Sequence, residues 1–339
     1  MTNENEKSKD DYQAELLKNR LIKRYKHLKK WAKRNNVFCY RLYDKDIPEI
    51  PLAIDLYIDE NEIDQYIQLA LYERPYEKDK KEEQIWLSKM RNTICQVLEI
   101  PVSNVYIKIR RQLKDNTQYE KTNNAENDRK IIIKEQNAKF FVKMSSYLDT
   151  GLFFDHRPLR KIIRETCTGK CVLNLFCYTG SFSVYAAQGK AKSIDSVDLS
   201  NTYLEWAKDN FLLNGFNIDE KSNNINFKFH QNDIFIFLDN AQKKEKKWDI
   251  IILDPPTFSN SKKTNSILDL NKQWFILVNS CLQLLNPNGI LYFSTNSRKL
   301  NFDESLIDDN HLIIDITDKT IPEDYRNTKI HRCWKILKE

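Results

Sequence analysis

The stretch Trp248-Asp-Ile-Ile-Ile-Leu-Asp-Pro-Pro-Thr-Phe258 joins a short apolar run to a carboxylate, two prolines and an aromatic ring. Ile250, Ile251, Ile252 and Leu253 suit a central parallel strand buried on both faces, and Pro255 and Pro256 cannot continue its hydrogen-bond ladder. The chain must leave the sheet at Asp254, and in an open α/β sheet that carboxyl edge is where ligands bind. Asp254 then faces a pocket as an acceptor, with Phe258 beside it as a flat apolar surface, a pairing suited to a planar base that carries N–H donors. Asp-Pro-Pro also serves simply as a stiff exit turn, so the stretch alone speaks more clearly for the fold than for the chemistry.

Upstream, Cys171-Val-Leu-Asn-Leu-Phe176 is a second strand-like run, followed by the turn Cys177-Tyr-Thr-Gly-Ser181 and a helix opening at Phe182-Ser-Val-Tyr-Ala-Ala187. Such a turn brings backbone N–H groups at a helix N-terminus to a polar ligand, and Gly180 permits close approach. Asp198 ends the next strand, Ser193-Ile-Asp-Ser-Val-Asp198, about 20 residues on, where an acid in such folds accepts ribose hydroxyls. Asp233 follows a third strand, Ile225 to Gln231, and the helix Tyr203 to Asn214, closed by Gly215, lies between them. A dinucleotide site would need Gly-x-Gly-x-x-Gly to admit a pyrophosphate, and this turn has one glycine. S-adenosylmethionine, with ribose and adenine but no phosphate, fits better.

At 339 residues the chain has room for two domains. All six glycines fall at or after Gly151, which predicts a boundary near 146–150 and a turn-rich α/β domain behind it. The spacing predicts three parts: a disordered start with a basic amphipathic helix over 1–36, a small α/β domain over 37–146 and the catalytic domain over 147–339. Met1 to Asp10 are polar and charged and read as disordered. Leu17, Leu21, Tyr25, Leu28 and Ala32 recur at helical spacing as a stripe that docks on protein. Between Asp11 and Asn36 there are nine Lys or Arg against two acids, and Lys23, Lys26, Lys30, Lys33 and Arg34 form a set able to clamp phosphates. A merely solvated face is the plain alternative, and a membrane-surface helix is disfavoured by the lack of a large leucine or aromatic face. In the 37–146 unit, Ala53 to Ile58, Val105 to Arg110 and Lys130 to Ile133 read as strands and Lys80 to Leu98 as a helix. Arg110, Arg111 and Lys114 lead into a polar loop reaching Arg129, which is either an RNA-guiding edge or a solvated hairpin. Seven cysteines without a paired zinc-ribbon spacing predict no metal site, and with no leader or long apolar span the expected compartment is the cytoplasm.

From about Asn19 onward the chain resembles the C-terminal half of the bacterial bifunctional 23S rRNA guanine methyltransferase family, the RlmKL type. The resemblance rests on Trp31-Ala-Lys, Cys39-Tyr-Arg-Leu-Tyr-Asp44, Tyr147 to Arg157, Asn174-Leu-Phe-Cys-Tyr-Thr-Gly-Ser181, Val197-Asp-Leu-Ser200, Thr202-Tyr-Leu-Glu-Trp-Ala207, Asp254 to Ser261 and Ile330-His-Arg-Cys-Trp334. It implies a Rossmann-like class I S-adenosylmethionine-dependent methyltransferase domain and methylation of guanine N7 in 23S rRNA, near the peptidyl transferase region. The 23S rRNA or a pre-50S particle is the implied partner. The family's THUMP domain and guanine-N2 methyltransferase domain are missing here, which leaves room for a separate THUMP-bearing partner.

Residue types separate the chemistries. An RNA 5-methylcytosine enzyme attacks its base with a thiolate, and neither Phe293-Ser-Thr-Asn-Ser297 nor Asp254 to Asn260 holds a cysteine. Guanine N7 is already nucleophilic and carries no proton, so positioning is the main requirement. The expected base site is Asp254 hydrogen-bonding the guanine, Phe258 stacking on it, and Pro255, Pro256 and Thr257 shaping the slot. The expected cofactor site places Asp198 on the ribose, Asp233 near the adenine amino group and Leu199 and Ile234 on the adenine faces. Tyr178, Thr179 and Gly180 run along the methionine, and Asp155 and Arg157 approach from the domain junction, Arg157 toward the cofactor carboxylate or toward Asp155 itself. Asn296, Arg298, Tyr325 and Arg326 fall in late loops open to RNA. Two alternatives remain: the same cofactor acting on guanine N2 or another exocyclic amine, and a ribosome-assembly factor that binds rRNA without catalysis.

Overall fold

Apolar strands that alternate with amphipathic helices have one economical solution, a mostly parallel sheet whose faces are covered by the helices. The computed structural model describes residues 8–73, 79–110, 130–147, 149–218, 226–259, 267–308 and 311–338. It divides into two compact units, Met1–Thr150 and Gly151–Glu339.

The first unit opens with α1 (Lys9–Asn35). The expected disorder of 1–10 does not extend to its end: Ser8 caps the helix, its hydroxyl accepting from Asp11 N–H, and Lys9 and Asp10 are helical. A polar first turn is what an N-terminus needs, because Asp10 and Asp11 complement the positive end of the helix dipole. Residues 1–7 lie outside the described residues. Leu17, Leu21, Leu28, Trp31 and Ala32 are buried against α2 (Lys80–Leu98) and β1 (Cys39–Asp44), while Lys23, Lys26, Lys30, Lys33 and Arg34 are exposed. The helix ends where Asn36 takes up the left-handed conformation.

Strands β1, β2 (Leu52–Ile58), β3 (Gln65–Tyr72) and β4 (Val105–Arg110) form a sheet in that order, antiparallel except for the parallel β3–β4 pair that α2 connects. A hairpin of β5 (Lys130–Glu135) and β6 (Ala138–Lys143) completes the unit. The polar loop expected to carry Arg111 and Lys114 lies outside the described residues, and Arg110 itself is paired with Asp149 at 2.6 Å.

The second unit holds a seven-stranded sheet. Its elements in chain order are α3 (Arg157–Thr166), β7 (Cys171–Leu175), α4 (Ser181–Gln188), β8 (Ser193–Asp198), α5 (Asn201–Leu213), β9 (Asn226–Gln231), α6 (Ile234–Lys243), β10 (Trp248–Leu253), the short pair β11 (Phe258–Ser259) and β12 (Leu268–Asp269), α7 (Leu270–Gln283), β13 (Leu285–Thr295), β14 (His311–Asp315), α8 (Thr317–Thr320) and β15 (Arg332–Lys338). The spatial order is β14-β15-β13-β10-β7-β8-β9. Strands β9, β8, β7, β10 and β13 are parallel, and β15 runs antiparallel between β13 and β14. This is a doubly wound, Rossmann-like arrangement. Ile250, Ile251, Ile252 and Leu253 are fully buried, as a strand covered on both faces requires. From β7 the chain winds out to β9 and then returns to β10 on the other side, so the switch point lies between the carboxyl ends of β7 and β10.

Candidate active site

The two strand ends at the switch point carry the two segments that the sequence marks. After β7, Phe176 (φ 55°), Tyr178 (φ 51°) and Gly180 (φ 73°) are all left-handed within five residues. Only glycine adopts that region without steric cost, so the aromatic pair stores strain that neighbouring contacts must hold. Tyr178 N–H donates to Asp198 Oδ2 at 2.9 Å, Cys177 N–H to Val197 O at 3.0 Å, and Gly180 N–H to Cys177 O at 2.8 Å. A Cβ on Gly180 would come within 2.8 Å of the Ala207 Cβ, which explains the residue at that position twice over. The Tyr178 ring packs between Phe153 and Tyr203, with centroids at 5.5 Å and 4.6 Å.

Asp198 closes β8 beside this turn. Its other oxygen accepts Ser200 N–H at 2.9 Å. Part of the side chain stays open, yet the surrounding protein is dense enough that burial raises its pKa to about 6 against the lowering effect of the Ser200, Tyr178 and Leu199 N–H groups. A carboxylate so desolvated, relieved by backbone N–H donors, is suited to further hydroxyl donors. Asp233 caps α6, and both its cap bonds, from Phe235 N–H and Ile236 N–H, go to Oδ1. Ile234 is buried and Leu199 half-buried. Thr179 is fully buried, with its hydroxyl donating to Gly151 O at 2.6 Å and its carbonyl accepting from Asn210 Nδ2 at 2.9 Å, so its side chain braces the turn from behind. Asn174 does the same through Ser183, at 2.9 Å, which in turn meets Ser196.

After β10, Asp254 keeps a quarter of its side chain exposed. Ser294 Oγ donates to its Oδ1 at 2.6 Å, and His156 Nε2 lies 3.3 Å from its Oδ2. Pro255 is buried, and Phe258 stands 47% exposed on the short strand β11, whose partner residue is Asp269. Thr257 ties the loop down, its hydroxyl donating to Asn296 at 2.7 Å. Asp254 therefore presents an acceptor with an apolar ring four residues on, and neither is consumed by the loop.

The Asp155-His156-Arg157 segment enters from the start of α3. Arg157 meets Asp324 at 2.9 Å, and both side chains are essentially buried. Asp155 accepts from His331 Nδ1 at 2.9 Å. His156, His331, Ser294 and Asp324 are the polar residues that no spacing argument singled out; they reach the site from three separate parts of the chain. Of the late residues, Arg298 and Arg326 are exposed and Tyr325 is buried.

Neither 293–297 nor 254–260 holds a cysteine, but β15 lays Cys333 opposite Ser294 in the register of the sheet. Its thiol is fully buried, and burial together with the nearby Asp254 and Asp315 charges pushes its pKa well above the ordinary value. Burial does the same to Cys177 in the cofactor turn. Both are held as thiols, which is the opposite of what a thiolate nucleophile requires.

Comparison with known proteins agrees with this geometry. Residues 73–311 match the S-adenosylmethionine-dependent methyltransferase family. The ribosomal RNA large subunit methyltransferase K of Neisseria meningitidis is 44% identical over 318 residues, covering 94% of this chain and 86% of that protein. The K/L protein of Saccharophagus degradans is 42% identical over 95% of this chain, which spans only 41% of its length. Among solved structures, a SAM-dependent methyltransferase from Streptococcus mutans superposes with a TM-score of 0.70 at 22% identity, covering 96% of this chain and 81% of that one. No helix among the described residues is long and apolar enough to cross a membrane.

Proposed function

Because the chain belongs to the S-adenosylmethionine-dependent methyltransferase family, among the ribosomal RNA large subunit methyltransferase K proteins, we propose that it methylates guanine N7 in 23S rRNA to give 7-methylguanosine. The observation that carries the chemistry is the acceptor at the switch point: Asp254 keeps a quarter of its side chain exposed, with the exposed Phe258 four residues on in the chain, while the nearby Cys333 is kept as a thiol. An attacking atom that already bears a lone pair and no proton needs neither a thiolate nor a strong base, only placement.

S-adenosylmethionine, when bound, supplies an electrophilic methyl group on its sulfonium. Toward it, Asp198 takes the ribose hydroxyls, Asp233 the adenine amino group through Oδ2, and Leu199 and Ile234 flank the ring. The left-handed turn at Tyr178, Thr179 and Gly180 faces the methionine, with Asp155 and Arg157 at its edge. Toward the RNA, Asp254 accepts from guanine N–H donors, Phe258 stacks, and Pro255, Pro256 and Thr257 set the walls of the slot. A base presented this way is flipped from a helix or taken from a single-stranded loop. The exposed basic face of α1 supplies phosphate contacts, and the setting is the cytoplasm with 23S rRNA or a pre-50S particle as partner.

The test is nucleoside analysis by mass spectrometry of unmodified 23S rRNA after incubation with the pure protein and labelled S-adenosylmethionine. Appearance of 7-methylguanosine is the expected result. A methylated exocyclic amine in its place overturns the N7 assignment and keeps the pocket. Product formed only when a THUMP-bearing chain is added would show that the RNA is delivered by a partner.

The cofactor pocket makes its own prediction. Ribose hydroxyls favour the ionised form of Asp198, whereas protonation near pH 6 removes an acceptor, so S-adenosylmethionine affinity is level above pH 7 and declines as pH falls through 6. The slope approaches about tenfold per unit. Asp198→Asn binds more weakly and loses the slope; titration calorimetry from pH 5 to 7.5 reads both. A parallel pH response in wild type and variant would remove Asp198 from the pocket.

A further inference from the structure

Two histidines sit behind Asp254, and a count of their protons shows how they are arranged. Thr320 Oγ1 lies 2.8 Å from Thr317 O, and a carbonyl can only accept, so the single hydroxyl proton is used there. Thr320 Oγ1 also lies 3.0 Å from His331 Nε2 and holds that end of the ring. On the other side of the ring, His331 Nδ1 meets Asp155 Oδ2 at 2.9 Å, a distance at which two bare lone pairs would repel, so a proton lies between them. His331 is thus anchored at both nitrogens and fully enclosed.

His156 lies flat on that anchored ring, with centroids 4.6 Å apart and an interplanar angle of 14°. Its opposite neighbour is Phe182 at 5.7 Å. Its Nε2 faces two carboxylate oxygens, Asp254 Oδ2 at 3.3 Å and Asp155 Oδ2 at 3.8 Å, which can only accept. Nδ1 is buried without a hydrogen-bond partner among the described residues. Burial, assisted by His331 and Arg160, lowers the His156 pKa against the pull of Asp254 and Asp155, so the ring is neutral with its proton on Nε2. Among the described residues, stacking and the two carboxylates set its orientation.

We propose that His156 is a positioning residue for Asp254, holding Oδ2 by its Nε2–H while the His331–Asp155 pair fixes the surface on which it is stacked. With Ser294 on Oδ1 and His156 on Oδ2, each oxygen of Asp254 has one donor behind it and a lone pair left forward. Two parallel forward lone pairs match the two neighbouring N–H groups on the Watson–Crick edge of guanine, N1–H and N2–H. The 3.3 Å contact is loose without substrate, and shortens when the base engages the carboxylate, as hydrogen bonds behind reactive groups commonly do. The inference rests on the reading that Asp254 faces the target base.

The experiment compares His156→Phe, which keeps a flat ring and loses the donor, with His156→Gln, whose amide nitrogen reaches about as far as Nε2. Methyl transfer to transcribed 23S rRNA gives kcat and KM, and calorimetry gives S-adenosylmethionine affinity. His156→Phe is expected to lose about 10- to 100-fold in kcat/KM, the scale of one hydrogen bond to a charged group. His156→Gln is expected to recover most of that loss, and both variants bind S-adenosylmethionine as wild type does. Wild-type kcat/KM in His156→Phe overturns the proposal, as does a glutamine variant no better than phenylalanine. If His156→Phe fails to bind S-adenosylmethionine, the glutamine variant alone decides, near-wild-type activity supporting the role and its loss overturning it. Wild-type protein that methylates a different atom defeats the N7 assignment but leaves this comparison intact, because it is read on whatever product forms.

Discussion

Asp254→Ala is expected to cut kcat/KM for 23S rRNA by about 10²- to 10⁴-fold, with S-adenosylmethionine affinity changed by no more than about a factor of two. The loss is large because truncation acts on both sides of the carboxylate. In front, the N–H donors of the base are left facing a dry slot without an acceptor, and sites built around such bonds reject mismatched partners severely. Behind, Ser294 Oγ–H and the His156 ring lose the group they face. Asp254→Asn tests the sign of the interaction: it nearly preserves shape but turns one acceptor into a donor, and is expected to be about as impaired as alanine. Activity within threefold of wild type in the asparagine variant would show that the carboxylate is only the exit turn that Asp-Pro-Pro is able to form.

The second large effect is on stability. Arg157 and Asp324 are paired at 2.9 Å with side-chain exposures of 4% and 0%. Arg157→Met removes the cation and leaves an acid in the interior, a change that costs about 3–5 kcal/mol in comparable pairs. For a domain of this size that corresponds to a drop of roughly 10 °C or more in Tm. Arg157→Met combined with Asp324→Asn should recover much of the loss, because the uncompensated charge is gone. Thermal unfolding by circular dichroism measures both. A single variant with wild-type Tm would mean that water or a neighbouring group reaches Asp324. The same protein sample titrated with S-adenosylmethionine separates this structural task from the cofactor contact proposed for Arg157.

The main lines of the methyltransferase unit were legible because their signals are local. Four apolar residues stopped by two prolines give β10, one glycine in a tight turn gives the β7–α4 junction, and an acid after each of the next two strands gives Asp198 and Asp233. The basic helix was legible for the same reason, through a stripe at helical spacing. Strand β3 is buried at six consecutive positions, so it lacks the alternation that marks a strand, and its extended form depends on neighbours supplied from elsewhere. The start of α1 was missed because composition spoke for disorder, while the capping by Ser8 depends on a reciprocal pair of bonds with Asp11. The polar shell behind Asp254 is harder still. His156 and His331 are adjacent rings separated by most of the catalytic unit, and only the sheet order brings them together. Cys333 shows the converse: a loop-by-loop search for thiols is blind to a neighbour across the sheet.

The antiparallel strand β15 has a consequence for the birth of the protein. It lies inside the sheet, between β13 and β14, although it is the last of the three to be synthesised. During translation the parallel strands and β14 emerge with a gap between them, and that gap closes only when residues 332–338 leave the ribosome. His331 and Cys333 arrive with it, so the backing of Asp254 is assembled only after β15 has emerged. A nascent chain can thus complete its N-terminal unit early and still lack a finished catalytic sheet. Ribosome-bound chains arrested before β15 should expose the β13 edge to proteases and chaperones, whereas arrest beyond it, with a linker long enough to clear the tunnel, should protect that edge.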